Sequence, residues 1–459
     1  MPRVKKLQIQ SVKGMHDILP HDQQYWEFII KKAKGIFEDY SFRRIDTPIL
    51  EQTDLFVRSV GEATDIVEKE MYNLRTKGGD RLSLRPEFTA GIVRAYIEHG
   101  MHTMPHPVQL WTHGPLFRHE NPQAGRLRQH YQLNLEIFGD EMPAADAQAI
   151  FIQYKILESL GVKNLIVKLN SIGDADCRPQ YIKALKDHYR GSAKRICAQC
   201  LKRIKSNPLR VLDCKKPDCQ EHIKNAPQFL EYLDEDCKKH FKGVLEFLDE
   251  LEVPYLLDHT LVRGLDYYTR TTFEIIVEKE NEKEEKEDEK KEGEEEEKKI
   301  KTKKENEKPK SEPLALGGGG RYDKLVEHMG GPKTPAIGWG MGIERIILAL
   351  KIQKIEPASS KKPPKVFIAQ LGELAKRKSL ALFEEFRRSG VSAKSSFGRD
   401  SIKAQLRVSN RLNIPYTIIM GQKEALDGSV IIREMGTGVQ ETVPVEKVIE
   451  IIKQKTKGR

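Results

Sequence analysis

Long apolar runs are missing from this chain. None of its 459 residues lies in an uninterrupted apolar stretch of the ~18 that a membrane-spanning helix requires, so no span is expected. Residues 1–10 carry Lys and Arg but neither an apolar segment nor a small-residue cleavage site, which argues against secretion and for a cytoplasmic location. Cysteine is scarce, six in all. In a long chain without a leader that argues against a disulfide framework and leaves metal ligation or reduced thiols. No repeat with a period of about 20–50 residues occurs, which excludes solenoids and propellers. A GxGxxG turn with the right flanking strand is also absent, which excludes a dinucleotide fingerprint.

Hydrophobic residues are 38% of the chain, enough to build real cores, and its length implies two or three of them. The formal charge of +10 favours a polyanionic partner without identifying one.

Residues 25–40 place Tyr25, Phe28, Ile29, Ile36 and Phe37 at helical spacing, and residues 42–50 read as one strand with Pro48 near its end. Residues 81–86 suggest a further strand. Residues 108–117 and 130–138 read as two strands joined by the polar loop 118–129, an antiparallel pattern. A strand at 165–169 leads into a Lys-, Asp- and Cys-rich stretch with helical period up to about residue 254, and strand-like sequence returns at 271–277. Residues 278–312 are almost entirely Glu and Lys and cannot bury enough apolar surface to offset ordering, so a solvated surface insert is expected. A Pro/Ser-rich linker at 351–364 precedes a strand–helix alternation with strands at 366–371, 416–420 and 430–434 and helices at 375–389 and 401–412. That pattern implies a small α/β domain with a mostly parallel sheet. The expected organisation is a core in two parts, 1–169 and 254–350, interrupted by a helical insertion at 170–253 and followed by the domain 366–459.

Several constellations are suited to chemistry. Arg118 ends a strand and opens a loop holding His119, Glu120, Arg126 and Arg128. It suits bidentate phosphate capture, and an ordinary charged hairpin is the alternative. The run GWGMGIER (338–345) sets close glycines before Arg345; it allows a backbone-to-ligand approach with a second phosphate contact, or a tight strand-to-helix turn. LVRGLDYY (261–268) places a cation, a carboxylate and two phenols together, able to counter developing charge and to select a polar ring. Glu87 and Thr89 stand two apart after a strand and can grip an ammonium group.

Together these segments resemble the histidine–tRNA ligase family of class II aminoacyl-tRNA synthetases over essentially the whole chain. Residues 42–56 look like class II motif 1, with a homodimer-interface role implied. Phe117-Arg118-His119-Glu120 through Arg126-Leu127-Arg128, with Gln132 and Glu136, look like motif 2, and GMGIER (340–345) like motif 3. LVRGLDYY and GGGRYD (318–323) resemble the two histidine-specific signatures. LRPEFTA (84–90) resembles the amino-group loop, with Phe88 where glycine is most usual.

The resemblance implies an α+β fold: an antiparallel-sheet catalytic core with a helical insertion, and a C-terminal α/β anticodon-binding domain. It implies ligation of L-histidine to tRNA(His) through a histidyl-adenylate, with ATP and Mg2+. Glu87, Phe88, Thr89 and Gln132 would lie at the histidine ammonium. Glu136 and Tyr268 would address the two ring nitrogens, with Tyr267 and Tyr322 beside them. Arg118 and Arg263 would flank the α-phosphate and Arg345 the γ-phosphate, with Glu120 and Arg126 also at ATP. Gln123, Arg126 and Arg128 would approach the tRNA acceptor end; Arg399, Lys403 and Arg407, in a domain with excess basic charge, would contact its backbone.

Cys197-x2-Cys200 and Cys214-x4-Cys219 have the spacing of a four-thiolate zinc site, against reduced surface thiols as the alternative. Three other functions compete: a non-enzymatic regulatory paralogue of this core, a prolyl, threonyl or glycyl ligase of the same subclass, and a plain RNA-binding protein. Retention of Arg118, Arg263, Tyr268 and Arg345 opposes the first, GGGRYD with Tyr267–Tyr268 the second, and phosphate-facing arginines beside an ammonium grip the third.

Overall fold

Apolar residues at three- and four-residue steps make the helix Gln23–Asp39, which buries Tyr25, Trp26, Ile29, Ala33 and Phe37 along one stripe in the computed structural model. The structure describes residues 9–61, 64–123, 125–191, 195–278, 313–357, 363–398 and 401–456. The Glu/Lys-rich stretch beyond Glu278, part of the linker and Arg399 lie outside those residues. Phe37 stacks on Trp111 at 4.7 Å and approaches Trp339 at 6.0 Å, so Phe37→Ala would cost ~3–5 kcal/mol.

The chain divides into two compact units, Met1–Pro357 and Ala358–Arg459. The first contains β1 (Arg43–Arg44), β2 (Leu50–Gln52), β3 (Tyr72–Arg75), β4 (Arg81–Leu84), β5 (Val108–Phe117), β6 (Gln129–Phe138), β7 (Leu165–Ser171), β8 (Tyr255–Leu257), β9 (Thr269–Val277), β10 (Leu314–Arg321) and β11 (Ala336–Gly342). Eight of them form one sheet in the order β1-β5-β6-β11-β10-β9-β7-β8. It is antiparallel throughout its middle and parallel only at its two ends, β1 with β5 and β7 with β8. A small antiparallel sheet, β2-β4-β3, is separate.

The single strand expected over 42–50 is instead two short strands in different sheets. Arg43 and Arg44 pair with β5, while Leu50–Gln52 pairs with β4. Pro48 has no N–H to continue a ladder, and the chain changes sheets around it.

Period-2 alternation gives the main sheet two unlike faces. Leu133, Leu135 and Ile137 of β6 and Ile337, Trp339 and Met341 of β11 enter one core. The helix Pro143–Ser159 supplies Ile150, Ile152, Ile156 and Leu157 to that core, and the helix Glu235–Glu250 supplies Phe241, Val244 and Leu248. The indole of Trp339 donates to the carbonyl of Ala149 at 2.8 Å, so this buried N–H is satisfied. On the opposite face the register sets Gln132, Asn134 and Glu136 against Gly342, Gly340 and Gly338.

Between β7 and β8 the chain forms the helices Arg178–Arg190, Ala198–Ser206, Pro217–Lys224 and Glu235–Glu250. The first three pack around Tyr181, Leu185, Tyr189, Cys200 and Cys219.

The second unit holds β12 (Val366–Gln370), β13 (Ala393–Ser395), β14 (Tyr416–Met420), β15 (Ser429–Glu434) and β16 (Gln440–Pro444) in the order β13-β12-β14-β15-β16. The expected mostly parallel sheet is mixed. β12 runs parallel to β13 and β14, whereas β14, β15 and β16 are antiparallel. The turn between β15 and β16, with Gly438 at φ +76°, is too short for a parallel crossover. No described helix is long and apolar enough to cross a membrane.

Candidate active site

The glycine face of the main sheet forms the floor of a polar cleft of about 510 Å³. A methyl group at Gly338 would stand 1.6 Å from Glu136 Oε2, and one at Gly340 would stand 2.8 Å from Gln132 Oε1. The glycines of GWGMG therefore sit inside a strand, not in a turn. Their missing side chains leave the space that Glu136 and Gln132 fill.

Glu136 is fully buried. Thr89 Oγ1 donates to its Oε1 at 2.6 Å, and the Tyr322 hydroxyl donates to its Oε2. Burial pushes the Glu136 pKa up to about 8, the two hydroxyl donors oppose that shift, and the neighbouring Glu87 charge adds to it. Glu87, also buried, accepts from the backbone N–H of Thr89 at 2.7 Å and of Ala90 at 2.8 Å. Its carboxylate thus caps the helix Thr89–Glu98, where the orphan amide donors and the helix dipole favour negative charge. Burial still raises its pKa against those donors.

Tyr267, Tyr268 and Tyr322 are all buried beside these acids. The first two rings lie 4.7 Å apart, and Tyr267 meets Tyr322 edge-on at 5.6 Å. Burial raises the pKa of all three, so they are phenols and hydrogen-bond donors at neutral pH. The Phe88 ring is turned beneath the Arg85 guanidinium at 4.5 Å and packs in the apolar cluster, while its carbonyl accepts from the N–H of Ile92 at 3.0 Å.

Arg118, Arg126, Arg263 and Arg345 converge on the cleft from three separate segments. Arg118 Nε is fixed by the carbonyl of Pro86 at 2.8 Å. Arg345 donates to the carbonyls of Gly125 at 3.1 Å and Ala315 at 2.8 Å. Arg263 lies 5.9 Å over the Tyr268 ring and 3.6 Å from Glu274. Glu120 lies 4.0 Å from Arg118 and 3.8 Å from Arg126, forming a loose bracket across the motif 2 loop. Four guanidiniums with remaining free N–H donors suit a polyphosphate, and burial strengthens their field.

The loop itself is a tight turn in which Gln123 and Arg126 exchange backbone hydrogen bonds at 3.1 and 2.9 Å. Gln123 and Arg126 are exposed. Arg128 is committed elsewhere: its backbone N–H donates to the carbonyl of Gly14 at 2.7 Å and its Nε to that of Glu120 at 3.1 Å. In the second unit, Lys403 and Arg407 lie one turn apart and exposed on the helix Ile402–Arg411.

Other cleft residues were given no role of their own from the sequence. His130 is kept neutral, its pKa driven down to about 3 by burial and by Arg118 and Arg345. Burial pushes Glu344 up to about 7 although both its oxygens accept from the Tyr131 N–H, at 2.9 and 3.0 Å. Arg203 and Arg210 come from the inserted helices, 2.8 and 3.2 Å from Asp65. Arg321 of GGGRYD is absent from the cleft lining. Fully buried, it holds Asp146, which also accepts His240 at 2.9 Å, and so ties β10 to two helices.

The model of the histidyl-tRNA synthetase family matches residues 14–283, and that of the anticodon-binding domain matches residues 365–455. A histidine–tRNA ligase of Dehalococcoides mccartyi is 43% identical over 446 residues, covering 97% of this chain and 99% of its own length. One from Syntrophotalea carbinolica is 38% identical, covering 98% and 100%. The crystal structure of the apo histidyl-tRNA synthetase of S. aureus superposes with a TM-score of 0.74 at 32% identity, covering 97% of this chain and all of that one. With a buried acid–phenol pocket, converging arginines and full-length relatives in agreement, this chain belongs to the histidyl-tRNA synthetase family.

Proposed function

We propose that the chain ligates L-histidine to tRNA(His) using ATP, through a histidyl-adenylate. The observation that carries this reading is the buried Glu136, placed between Thr89 and Tyr322 beside Tyr267 and Tyr268, with the cleft arginine Arg263 over the Tyr268 ring. Imidazole offers a donor and an acceptor edge, and a pocket with a carboxyl group for one and a phenol for the other discriminates it from apolar side chains. Glu136 and Tyr268 are assigned those roles, with Tyr322 orienting Glu136.

Glu87, Thr89 and Gln132 are assigned to the ammonium group. Glu87 keeps lone pairs beyond the two it gives to backbone N–H groups. Arg118 and Arg263 are assigned to the α-phosphate and Arg345 to the γ-phosphate. Their role is to neutralise charge while the histidine carboxylate attacks the α-phosphorus and pyrophosphate departs. Glu120 and Glu274 on the cleft wall supply the hard oxygen donors that suit Mg2+ on the outer phosphates. Gln123 and Arg126 are assigned to the tRNA acceptor end, and Lys403 and Arg407 to its backbone. Arg128 is assigned to shaping the loop that approaches it. Self-association as a homodimer is proposed through residues 42–56, where Ile49 and Leu50 stand 43% and 42% exposed.

The test is ATP–pyrophosphate exchange with each amino acid in turn. Exchange with histidine alone is expected. Exchange with proline or threonine, or none with any amino acid, would overturn the reading.

A further inference from the structure

Four thiols of the inserted helices come together from two separate turns. Cys197 is the N-cap of the helix Ala198–Ser206, Cys200 lies within it, Cys214 follows a 3-10 turn, and Cys219 lies in the helix Pro217–Lys224. All four sulfurs lie within 4.8 Å of one another, and Cys197 Sγ stands 3.9 Å from Cys214 Sγ. A tetrahedral zinc with Zn–S bonds of about 2.3 Å requires sulfur–sulfur edges of about 3.8 Å. The backbone N–H of Cys197 donates to Cys219 Sγ at 3.3 Å, as an outer partner of a ligating thiolate does. Cys200, Cys214 and Cys219 are buried and Cys197 partly so, and none is in a disulfide. A four-thiolate zinc carries excess negative charge, and the same segment supplies Lys202, Arg203, Lys205, Arg210, Lys215 and Lys216.

We propose that Cys197, Cys200, Cys214 and Cys219 hold one structural zinc ion, and that this ion positions the insertion against the active-site cleft. The chain between the two cysteine pairs makes four contacts there. Arg203 and Arg210 pair with Asp65, Arg210 reaches the carbonyl of Arg263 at 3.4 Å, and Asn207 donates to Asp266 at 2.7 Å. Closing both ends of this segment on one ion limits its freedom beyond what the helix Ala198–Ser206 and the 3-10 turn Pro208–Val211 provide. Arg263 and Asp266 belong to the LVRGLDYY segment, so slack in the insertion is transmitted to the arginine and tyrosines of the site.

A second cluster, Asp174, Cys177, Asp234 and Cys237, also has its ligand atoms within 4.8 Å. Its thiols are satisfied by its carboxylates, Cys177 with Asp234 and Cys237 with Asp174 at 3.2 Å each. Arg270 supplies a positive charge to Asp174 at 3.4 Å. It serves as the internal control.

The test measures zinc by elemental analysis in full-length protein expressed with zinc, and the absorption spectrum after exchange with Co2+. About one zinc per chain and the intense visible bands of tetrahedral thiolate-bound cobalt are expected. Cys200→Ser should lose the metal, and Cys237→Ser should keep it. Cys219→His, which retains a ligand, should keep zinc with a shifted cobalt spectrum, separating ligation from misfolding. Histidine-dependent exchange, the readout that rests on the ligase reading, should fall about tenfold in kcat/KM on removing zinc and return on adding it. Metal-free protein with no cobalt bands, or loss of zinc in Cys237→Ser and not in Cys200→Ser, would overturn the site whatever the enzyme's activity. Full metal dependence without any change in exchange would overturn the positioning role alone.

Discussion

Replacing Gly338 by alanine would put a methyl group 1.6 Å from Oε2 of Glu136, 2.5 Å from its Cδ and 2.7 Å from the carbonyl oxygen of Leu135. The carboxylate must retreat by roughly 1.8 Å, the difference between 1.6 Å and the 3.4 Å at which ordinary contact begins. Rotation of Glu136 alone gives incomplete relief, because the Leu135 oxygen is backbone in the sheet. A retreat of that size breaks the 2.6 Å bond from Thr89 and the bond from Tyr322. With its pKa near 8 Glu136 is mostly protonated at pH 7, and hydrogen bonds between neutral groups are worth ~0.5–1.5 kcal/mol each, so the pocket loses ~1–3 kcal/mol of preorganisation. At 1.36 kcal/mol per tenfold, kcat/KM for histidine should fall by about one to two orders of magnitude. The assay is histidine-dependent ATP–pyrophosphate exchange on protein shown by circular dichroism to be folded. Glu136→Gln, which keeps the volume but replaces an ionisable carboxyl by an amide, should fall about 10- to 100-fold. A folded Gly338→Ala protein within about threefold of the parent would refute the argument that this glycine makes room for the acid.

Arg263→Ala should abolish exchange and leave tRNA binding nearly intact in a filter-binding assay; equal loss of both would mean misfolding or a wrong role. Glu136, raised from 4.5 to about 8, binds its proton more tightly folded than unfolded, so stability from this group is full below pH 4.5 and falls as pH rises through 8. Urea unfolding across that range should therefore show a slope that Glu136→Gln removes, and an unchanged slope would refute the assignment. Asp146 is held down to about 2, burial opposing and Arg321 overcoming it, so its contribution is present above pH 3.8 and lost towards 2. Asp146→Asn leaves the buried Arg321 with Asp323, at 3.1 Å, as its remaining carboxylate partner and should cost at most ~3–5 kcal/mol in urea unfolding. Removing both Lys403 and Arg407 should lower the slope of log affinity for tRNA against log salt by about one to two, leaving histidine-dependent exchange unchanged.

What the sequence determined by itself is local and periodic. The helix at Gln23–Asp39 and the long antiparallel pair β5 and β6 were legible because their apolar residues repeat every two, three or four residues, and the four cysteines because two short Cys–Cys spacings form a known ligand pattern. Glu87, Thr89, Gln132, Glu136, Tyr268 and the arginines were legible as a set only through resemblance, since their types and spacing alone admitted a charged hairpin or a packed turn. Tertiary structure decided the rest. It split residues 42–50 between two sheets at a proline, and it made the second unit's sheet mixed by running β15 antiparallel to both β14 and β16. It also revealed the glycines of GWGMG as the floor under Glu136, a relation that exists only across the β6–β11 register. Arg203 and Arg210 reach the cleft from a helical insertion, and Arg321 leaves it for Asp146, because long side chains choose partners by position in space and that position is set by packing of segments far apart in the chain.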